Sequence, residues 1–267
     1  MNTILIPTDF SENALMAVDF TVEKLMQEET KLALVNVYNI PHGGTSGLFY
    51  LLDELQKQSK KDMEDFCEKL KARFPNHDLK IETHIAQGDF SEQCKILASE
   101  LDADCLVMGT KGASGVKEVL IGSSTVDMMR SLNRPLYVIP ENYREKGINE
   151  MIISYDGLEY PEKAAGPIRY FAKRHNLPLR ALHVRIDEDA PLQNWEQFKK
   201  LFEGFTIDLH ESHGDDYESG LKKGIKDSKA LLVLLRHKQT FWERFFNRSD
   251  SRKAVMHANL PVLVIPE

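Results

Sequence analysis

The strongest constraint on the fold is an internal repeat in the amino-acid sequence. From Gly88 onward, the second half of the chain matches the first half without a gap, at the single offset of 126 residues that separates Pro140 from Pro266. The segments NRPLYVIPE and NLPVLVIPE are nearly identical. This repeat predicts a tandem duplication of one domain, because solenoid proteins consist of shorter and more numerous units.

Each copy alternates short apolar segments with segments of helical periodicity. In the first copy the predicted strands are Thr3 to Pro7, Lys31 to Tyr38, Lys80 to Ala86, Asp104 to Met108 and Pro135 to Pro140. Ser11 precedes the first helical segment as its N-cap. Strands that alternate with helices predict a parallel sheet with helices on both faces. The predicted fold class is α/β, with two tandem doubly wound, Rossmann-like domains.

The polar segment from Glu141 to Asn149 marks the predicted boundary between the copies. We predict a first domain at residues 1–141, a linker at 142–149 and a second domain at 150–267. The closing strands, Pro135 to Pro140 and Pro261 to Pro266, would both be sheet edges. An unpaired apolar edge is an aggregation hazard, so we predict that these two strands pair with each other.

Charge and hydropathy exclude several classes of protein. The net charge of -7 argues against binding DNA or RNA through backbone phosphates, which needs a clustered surplus of Lys and Arg. The longest aliphatic run, Ala230 to Leu235, is far below the roughly 20 residues of a membrane span. Asp9 interrupts the first apolar segment, and no basic region precedes it, so no secretory signal is predicted. We expect no nucleic-acid partner, no membrane contact and a cytoplasmic location.

A glycine-rich segment, VMGTKGASGVKEVLIGSST, follows the fourth predicted strand. Ligands bind at the carboxyl ends of strands in open parallel sheets, and Gly109 and Gly112 lie at that place. Glycines reach positive φ easily, so the pair could aim N–H groups at an anion. Gly122 then opens a helix whose first N–H groups favour phosphate. Lys111 could supply a cation to a β- or γ-phosphate. Ordinary loop glycines with a serine N-cap are the alternative.

The pattern Gly109-x2-Gly112-x9-Gly122-Ser123, together with the PTDFS turn and the closing VIP, resembles the nucleotide-binding branch of the universal stress protein family. The resemblance implies a strand order of 3-2-1-4-5 in each domain and ATP or another adenine nucleotide as ligand, often with Mg²⁺. The implied phosphate contacts are Gly109, Gly112, Gly122, Ser123 and Ser124, with Met108 and Thr125 lining the same site. The implied nucleoside contacts are Thr8 and Asp9, with Pro7 shaping the turn and Val37 offering backbone to the adenine.

Asp9 also has an interpretation that does not depend on the family. A carboxylate just past a strand end is a common acceptor for ribose hydroxyls. Capping of the following helix is the alternative role.

The second copy lacks the glycines. At the offset of 126 residues, the positions of Gly109, Gly112 and Gly122 hold Leu235, Lys238 and Arg248. We therefore predict that the second domain does not bind ATP in the family's manner and that Asp156, opposite Asp9, only caps a turn. The aromatic segment Phe241 to Phe246 is expected either to fill the vacant site or to bind a partner.

Nothing in the sequence indicates a reaction. The chain has no Gly-x4-Gly-Lys-Ser/Thr loop and no Gly-x-Ser-x-Gly elbow, so we predict no catalytic residue and no metal site. Three functions stay open: a regulatory protein that binds adenine nucleotide and contacts an unidentified protein partner, a slow ATPase or phosphotransferase, and a scaffold without nucleotide. The resemblance also leaves room for a homodimer.

Overall fold

The computed structural model describes residues 1–39, 48–110, 122–141, 143, 147–186, 192–236 and 260–266. Contacts group the chain into two compact units. The described residues of the first unit lie between Met1 and Arg134, and those of the second lie between Pro135 and Pro266.

The first unit alternates strands and helices as predicted. Its strands are β1 (Thr3–Pro7), β2 (Lys31–Tyr38), β3 (Lys80–Gln87) and β4 (Cys105–Gly109). Its helices are α1 (Glu12–Phe20), α2 (Leu48–Arg73), α3 (Phe90–Glu100) and α4 (Ser123–Ser131). A π-helical turn, Thr21–Leu25, continues α1. The predicted N-cap is confirmed, because the Ser11 side chain accepts a hydrogen bond from the Ala14 N–H.

The second unit repeats the alternation. Its strands are β5 (Leu136–Ile139), β6 (Glu150–Ser154), β7 (Leu179–Arg185), β8 (Ile207–His213), β9 (Ala230–Arg236) and β10 (Val262–Pro266). Its helices are α5 (Glu162–His175), α6 (Trp195–Lys200) and α7 (Tyr217–Gly224). The α/β fold class predicted from the sequence is therefore confirmed.

Parallel pairing dominates the sheet in both units. Within the first unit, β1 lies between β2 and β4, and β3 lies outside β2, all in parallel register. Within the second unit, the neighbouring strands run β5-β10-β9-β6-β7-β8. The pair β5 and β10 is antiparallel, with Val138 opposite Val262.

The pairing of β5 with β10 explains why the first unit ends before β5. The sequence repeat ends near Glu141, but β5 lies against β10 and is therefore grouped with the second unit. The boundary between the two units therefore lies one strand earlier in the chain than the boundary predicted from the sequence repeat.

The repeat is also visible in how helices pack on the sheet. Cys94 and Ala98 on α3 are buried, and the offset of 126 residues places Gly220 and Gly224 at their positions on α7. A Cβ atom on Gly224 would lie 2.5 Å from Leu182 Cδ1 on β7. Small side chains at these positions let the helix approach the sheet closely.

No helix in the described ranges is both long enough and apolar enough to span a membrane.

Candidate nucleotide-binding site

A cavity of about 250 Å³ opens at the carboxyl ends of β1, β2 and β4. All the predicted binding residues except Lys111 and Gly112 line it, and those two lie outside the described residues. The wall also contains three residues that the sequence analysis did not predict. The lining residues are Pro7, Thr8, Asp9, Ala14, Asn36, Val37, Phe90, Met108, Gly109, Gly122, Ser123, Ser124 and Thr125.

A tight turn after β1 forms the centre of the wall. The Thr8 N–H donates to the Val35 carbonyl oxygen at 2.8 Å, which extends the parallel ladder by one residue. The Thr8 hydroxyl accepts from the Phe10 N–H at 2.9 Å, and Asp9 Oδ1 accepts from the Ser11 N–H at 3.1 Å. These bonds fix the exposed Asp9 carboxylate at the strand end, where it also supports the start of α1.

Asn36 ties β2 to this turn. Its Nδ2 donates to the Thr8 carbonyl oxygen at 2.8 Å, and the side chain is buried. The sequence offers one signal for this role, since Asn36 is the polar residue within the apolar segment LALVNVY.

The N-terminus of α4 forms the side of the cavity next to β4. Gly122 is the N-cap, with φ −60° and ψ 148°, and it provides no side-chain cap. Its own N–H donates to the Thr110 carbonyl oxygen at 2.8 Å. The following N–H groups of the first helical turn have no intrahelical partner and lie at the positive end of the helix dipole. This arrangement is suited to binding an anion.

Thr125 links the same helix to the end of β4. Its Oγ1 donates to the Gly109 carbonyl oxygen at 3.2 Å, and the side chain is 3% exposed. Ser123 and Ser124 are exposed instead. The two serine hydroxyls are therefore accessible to a ligand, whereas the threonine hydroxyl holds the helix against the strand.

The structure explains the glycine at position 109 differently from the sequence prediction. It ends a buried strand and does not have a positive φ, so the prediction that it uses the conformational freedom of glycine is wrong. A Cβ atom at this position would lie 1.8 Å from Asn13 Oδ1 on α1. Gly109 therefore makes room for α1 to pack against β4.

Asp9 carries the only charge among the described lining residues. In the described part of the chain, no group of three His, Cys, Asp or Glu side chains could hold a metal ion. Anion binding by the described wall would therefore depend on N–H groups and hydroxyls.

Comparison with known proteins identifies the family of the chain. Residues 1–140 match the model of the universal stress protein family. The chain belongs to this family. A universal stress protein of Methanocaldococcus jannaschii is 25% identical over 150 residues, which cover 51% of this chain and 93% of the relative. Universal stress protein YxiE of Bacillus subtilis is 23% identical over 145 residues, covering 52% of this chain and 98% of the relative.

The fold likeness extends to the whole chain. The crystal structure of a universal stress protein from Archaeoglobus fulgidus matches with a TM-score of 0.73, covering 100% of this chain and 96% of that one. The identity between the two is 18%. The two-domain chain thus has the fold of a universal stress protein.

The second unit repeats the hydrogen-bonding pattern around the turn that follows β1. Tyr155 follows β6 where Thr8 follows β1, and its N–H donates to the Leu182 carbonyl oxygen at 2.9 Å. His183 stands at the position of Asn36, with Nδ1 2.9 Å from the Tyr155 carbonyl oxygen. Because a carbonyl only accepts, this nitrogen carries the hydrogen. Asp156 Oδ1 accepts from the Leu158 N–H at 3.0 Å, as the predicted turn cap would.

Aromatic side chains fill the space beside this turn of the second unit. We call Tyr155, Tyr160, Trp195, Phe198 and Phe202 the aromatic cluster. The ring centroids of Tyr155 and Phe198 are 4.5 Å apart, and those of Trp195 and Phe198 are 5.6 Å apart. The Tyr155 hydroxyl donates to the Gln193 carbonyl oxygen. Side chains from α6 thus pack at the carboxyl end of β6.

The sequence predicts that Phe241 to Phe246 either fills this space or binds a partner. That segment lies outside the described residues, as do Lys238 and Arg248. The aromatic cluster has a sequence signal that could have revealed it, since Trp195, Phe198 and Phe202 recur at helical spacing.

Proposed function

We propose that the first unit binds an adenine nucleotide, with ATP as the ligand, and that the protein is a nucleotide-dependent regulator in the stress response. The second unit would supply pairing or partner contacts instead of a second nucleotide site. Membership of the family and the cavity at the strand ends support this proposal.

The glycine at position 122 is the main observation that supports the proposal. A Cβ atom at this position would have ordinary contacts, 3.6 Å from the Thr110 carbonyl oxygen and 3.9 Å from Thr125 Oγ1. The backbone conformation is also one that any residue adopts. Serine, aspartate and asparagine are better N-caps than glycine. Neither packing nor strain explains the glycine, whereas the close approach of a phosphate to the helix N-terminus would.

The order of strands suggests the orientation of the nucleotide. The phosphates would lie at α4 and the end of β4, where Ser123 and Ser124 offer N–H groups and hydroxyls. The ribose would lie at the central turn, beside the Asp9 carboxylate. The base would then reach the end of β2 at Val37.

Mg²⁺ would enter with the nucleotide in this proposal. The described wall offers one carboxylate, on Asp9, which the proposed orientation places beside the ribose and not beside the phosphates. The phosphate oxygens of ATP and water molecules would therefore supply most of the Mg²⁺ ligands.

Titration calorimetry of ATP with Mg²⁺ against the wild type, Gly122→Ala and Gly122→Leu tests the proposal. We expect one binding event per chain, about ten-fold weaker in Gly122→Ala and undetectable in Gly122→Leu, because the added carbons occupy the space of the phosphate. Chromatography of the nucleotide after the titration measures ADP, which separates a binding protein from a slow ATPase.

Gly166 provides a matched control. It lies within α5, and a Cβ atom there would meet nothing within 4 Å. Gly166→Ala and Gly166→Leu should bind ATP like the wild type. A wild type that binds no nucleotide would refute the proposal, and so would an unchanged affinity in Gly122→Leu.

A further inference from the structure

Phe90 is an aromatic residue in the cavity wall that neither the motif nor the family pattern predicts. It is the first residue of α3, it is half-buried, and it lines the cavity. In the part of the chain that the structure describes, its ring stacks on no other aromatic ring. An aromatic residue in a cavity wall, without an aromatic partner in the described ranges, is suited to receive a planar ligand group.

The backbone around Phe90 is held firmly relative to β2. The Gly88 N–H donates to the Tyr38 carbonyl oxygen at 3.1 Å, which ties the end of β3 to the end of β2. Gly88 has φ +130°, a conformation that glycine adopts readily. Asp89 then caps α3 by accepting from the Glu92 N–H at 2.9 Å. The position of Phe90 near the end of β2 is therefore set by backbone bonds of the residues just before it.

Phe90 follows β3, whereas the α4 N-terminus follows β4, so the two parts of the cavity wall come from different strands of the sheet. The strands run β3-β2-β1-β4, and neighbouring strands are roughly 4.8 Å apart, so β2 and β4 are separated by roughly 10 Å. A nucleotide with its phosphates at Gly122 and its ribose at Asp9 therefore extends its base toward β2 and α3.

We propose that Phe90 stacks on the base and makes the site selective for purine nucleotides. This inference rests on the proposed nucleotide function. Stacking of a base on an aromatic side chain is sequence-tolerant because every base has a π-face, but its strength depends on the base. The larger face of a purine gains more than that of a pyrimidine, so Phe90 would favour ATP over UTP, which carries the same ribose and triphosphate.

Calorimetric titration of Mg-ATP and Mg-UTP against the wild type, Phe90→Leu and Phe90→Tyr tests the stacking role. Leucine keeps the apolar volume and removes the π-face, whereas tyrosine keeps both. We expect Phe90→Leu to bind ATP about ten-fold more weakly and UTP about three-fold more weakly, and Phe90→Tyr to stay within about three-fold of the wild type. Ile96→Ala is the control, because Ile96 is 41% exposed on the same helix.

The readout that a structural role would not change is the ratio of the ATP and UTP affinities. If Phe90→Leu weakens the binding of ATP and UTP equally, or leaves the affinity for ATP unchanged, the stacking inference is wrong. ATP binding itself would still be established. A wild type that binds neither nucleotide would overturn the proposed function together with the inference. A smaller ratio of ATP affinity to UTP affinity in Phe90→Leu, together with a wild-type ratio in Phe90→Tyr, supports stacking.

Discussion

Asn13 on α1 lies directly against Gly109 at the end of β4. Its Oδ1 is 1.8 Å from the place where a Cβ atom of residue 109 would stand, and its own carbonyl oxygen is 2.9 Å from that place. The side chain is 7% exposed, and its amide has no hydrogen-bond partner among the described residues. The packing of α1 on β4 at this point thus depends on the absence of a single carbon atom.

Gly109→Ala should therefore destabilise the first unit. Forcing an extra carbon into a close-packed site typically costs about 1–3 kcal/mol, so we expect a loss of this size in the free energy of unfolding measured by urea denaturation. Adding Asn13→Ala to Gly109→Ala should recover part of the loss, because the side-chain clash disappears while the carbonyl contact stays. Gly122→Ala is the control, since its Cβ meets no close atom. A double variant as unstable as Gly109→Ala alone would show that the amide is not the obstacle.

Two ion pairs between α1 and α2 should differ in strength. Asp19 is fully buried and accepts from Arg73 Nε at 2.6 Å and from Arg73 Nη2 at 2.7 Å. The Glu12 to Lys69 pair, at 2.7 Å, is exposed. Asp19→Asn should lower the free energy of unfolding by about 3 kcal/mol, because removal of one partner leaves a partly buried charge unpaired. Glu12→Gln should cost less than about 0.5 kcal/mol.

Urea denaturation of the two single variants measures this difference. A double-mutant cycle of Asp19→Asn with Arg73→Met should then give a coupling energy of about 1 kcal/mol or more, which isolates the pair from the other contacts of each residue. Equal costs for Asp19→Asn and Glu12→Gln would contradict the role given to burial.

Local signals in the sequence predicted the elements well, and long-range contacts account for what they missed. The N-cap at Ser11 and the strands that end at Pro7 and near Gly109 follow from patterns a few residues long. The reason for Gly109 lies in Asn13, which is far away along the chain and meets it only in the folded state. Phe90 lines the cavity next to the bond between the Gly88 N–H and the Tyr38 carbonyl oxygen, a contact that no local pattern shows.

Phe198 is central to the aromatic cluster of the second unit. It is 2% exposed, and its ring centroid lies 5.2 Å from that of Tyr160 and 5.1 Å from that of Phe202. Phe198→Ala should cost about 3–4 kcal/mol of unfolding free energy, since truncation of a buried phenylalanine leaves a cavity. We expect the affinity of the first unit for ATP to stay within about two-fold of the wild type at a temperature where the variant is folded.

Thermal denaturation and calorimetric titration of Phe198→Ala measure the two effects separately. Exposed Leu158→Ala is the control for stability, because Leu158 is 36% exposed. Binding of a second nucleotide by Phe198→Ala would show that the aromatic cluster covers a competent site, against the proposed single site.

Alkaline pH should destabilise the aromatic cluster. Burial raises the pKa of the Tyr155 phenol to about 12, with the Asp156 carboxylate adding to the effect, and burial also raises the pKa of Tyr160. A phenol in the unfolded chain has a pKa of about 10. Between these values the unfolded chain loses protons that the folded chain keeps, so the free energy of unfolding falls as the pH rises from about 10 to about 12.

Urea denaturation at pH values of about 9, 10.5 and 11.5 measures this fall. In Tyr155→Phe the fall should be shallower, because one of the raised phenols is gone. Tyr160→Phe should act in the same direction, since the Tyr160 hydroxyl is buried without a hydrogen-bond partner among the described residues. If the free energy of unfolding of Tyr155→Phe and of Tyr160→Phe falls with pH as steeply as that of the wild type, burial in the aromatic cluster does not hold these phenols neutral.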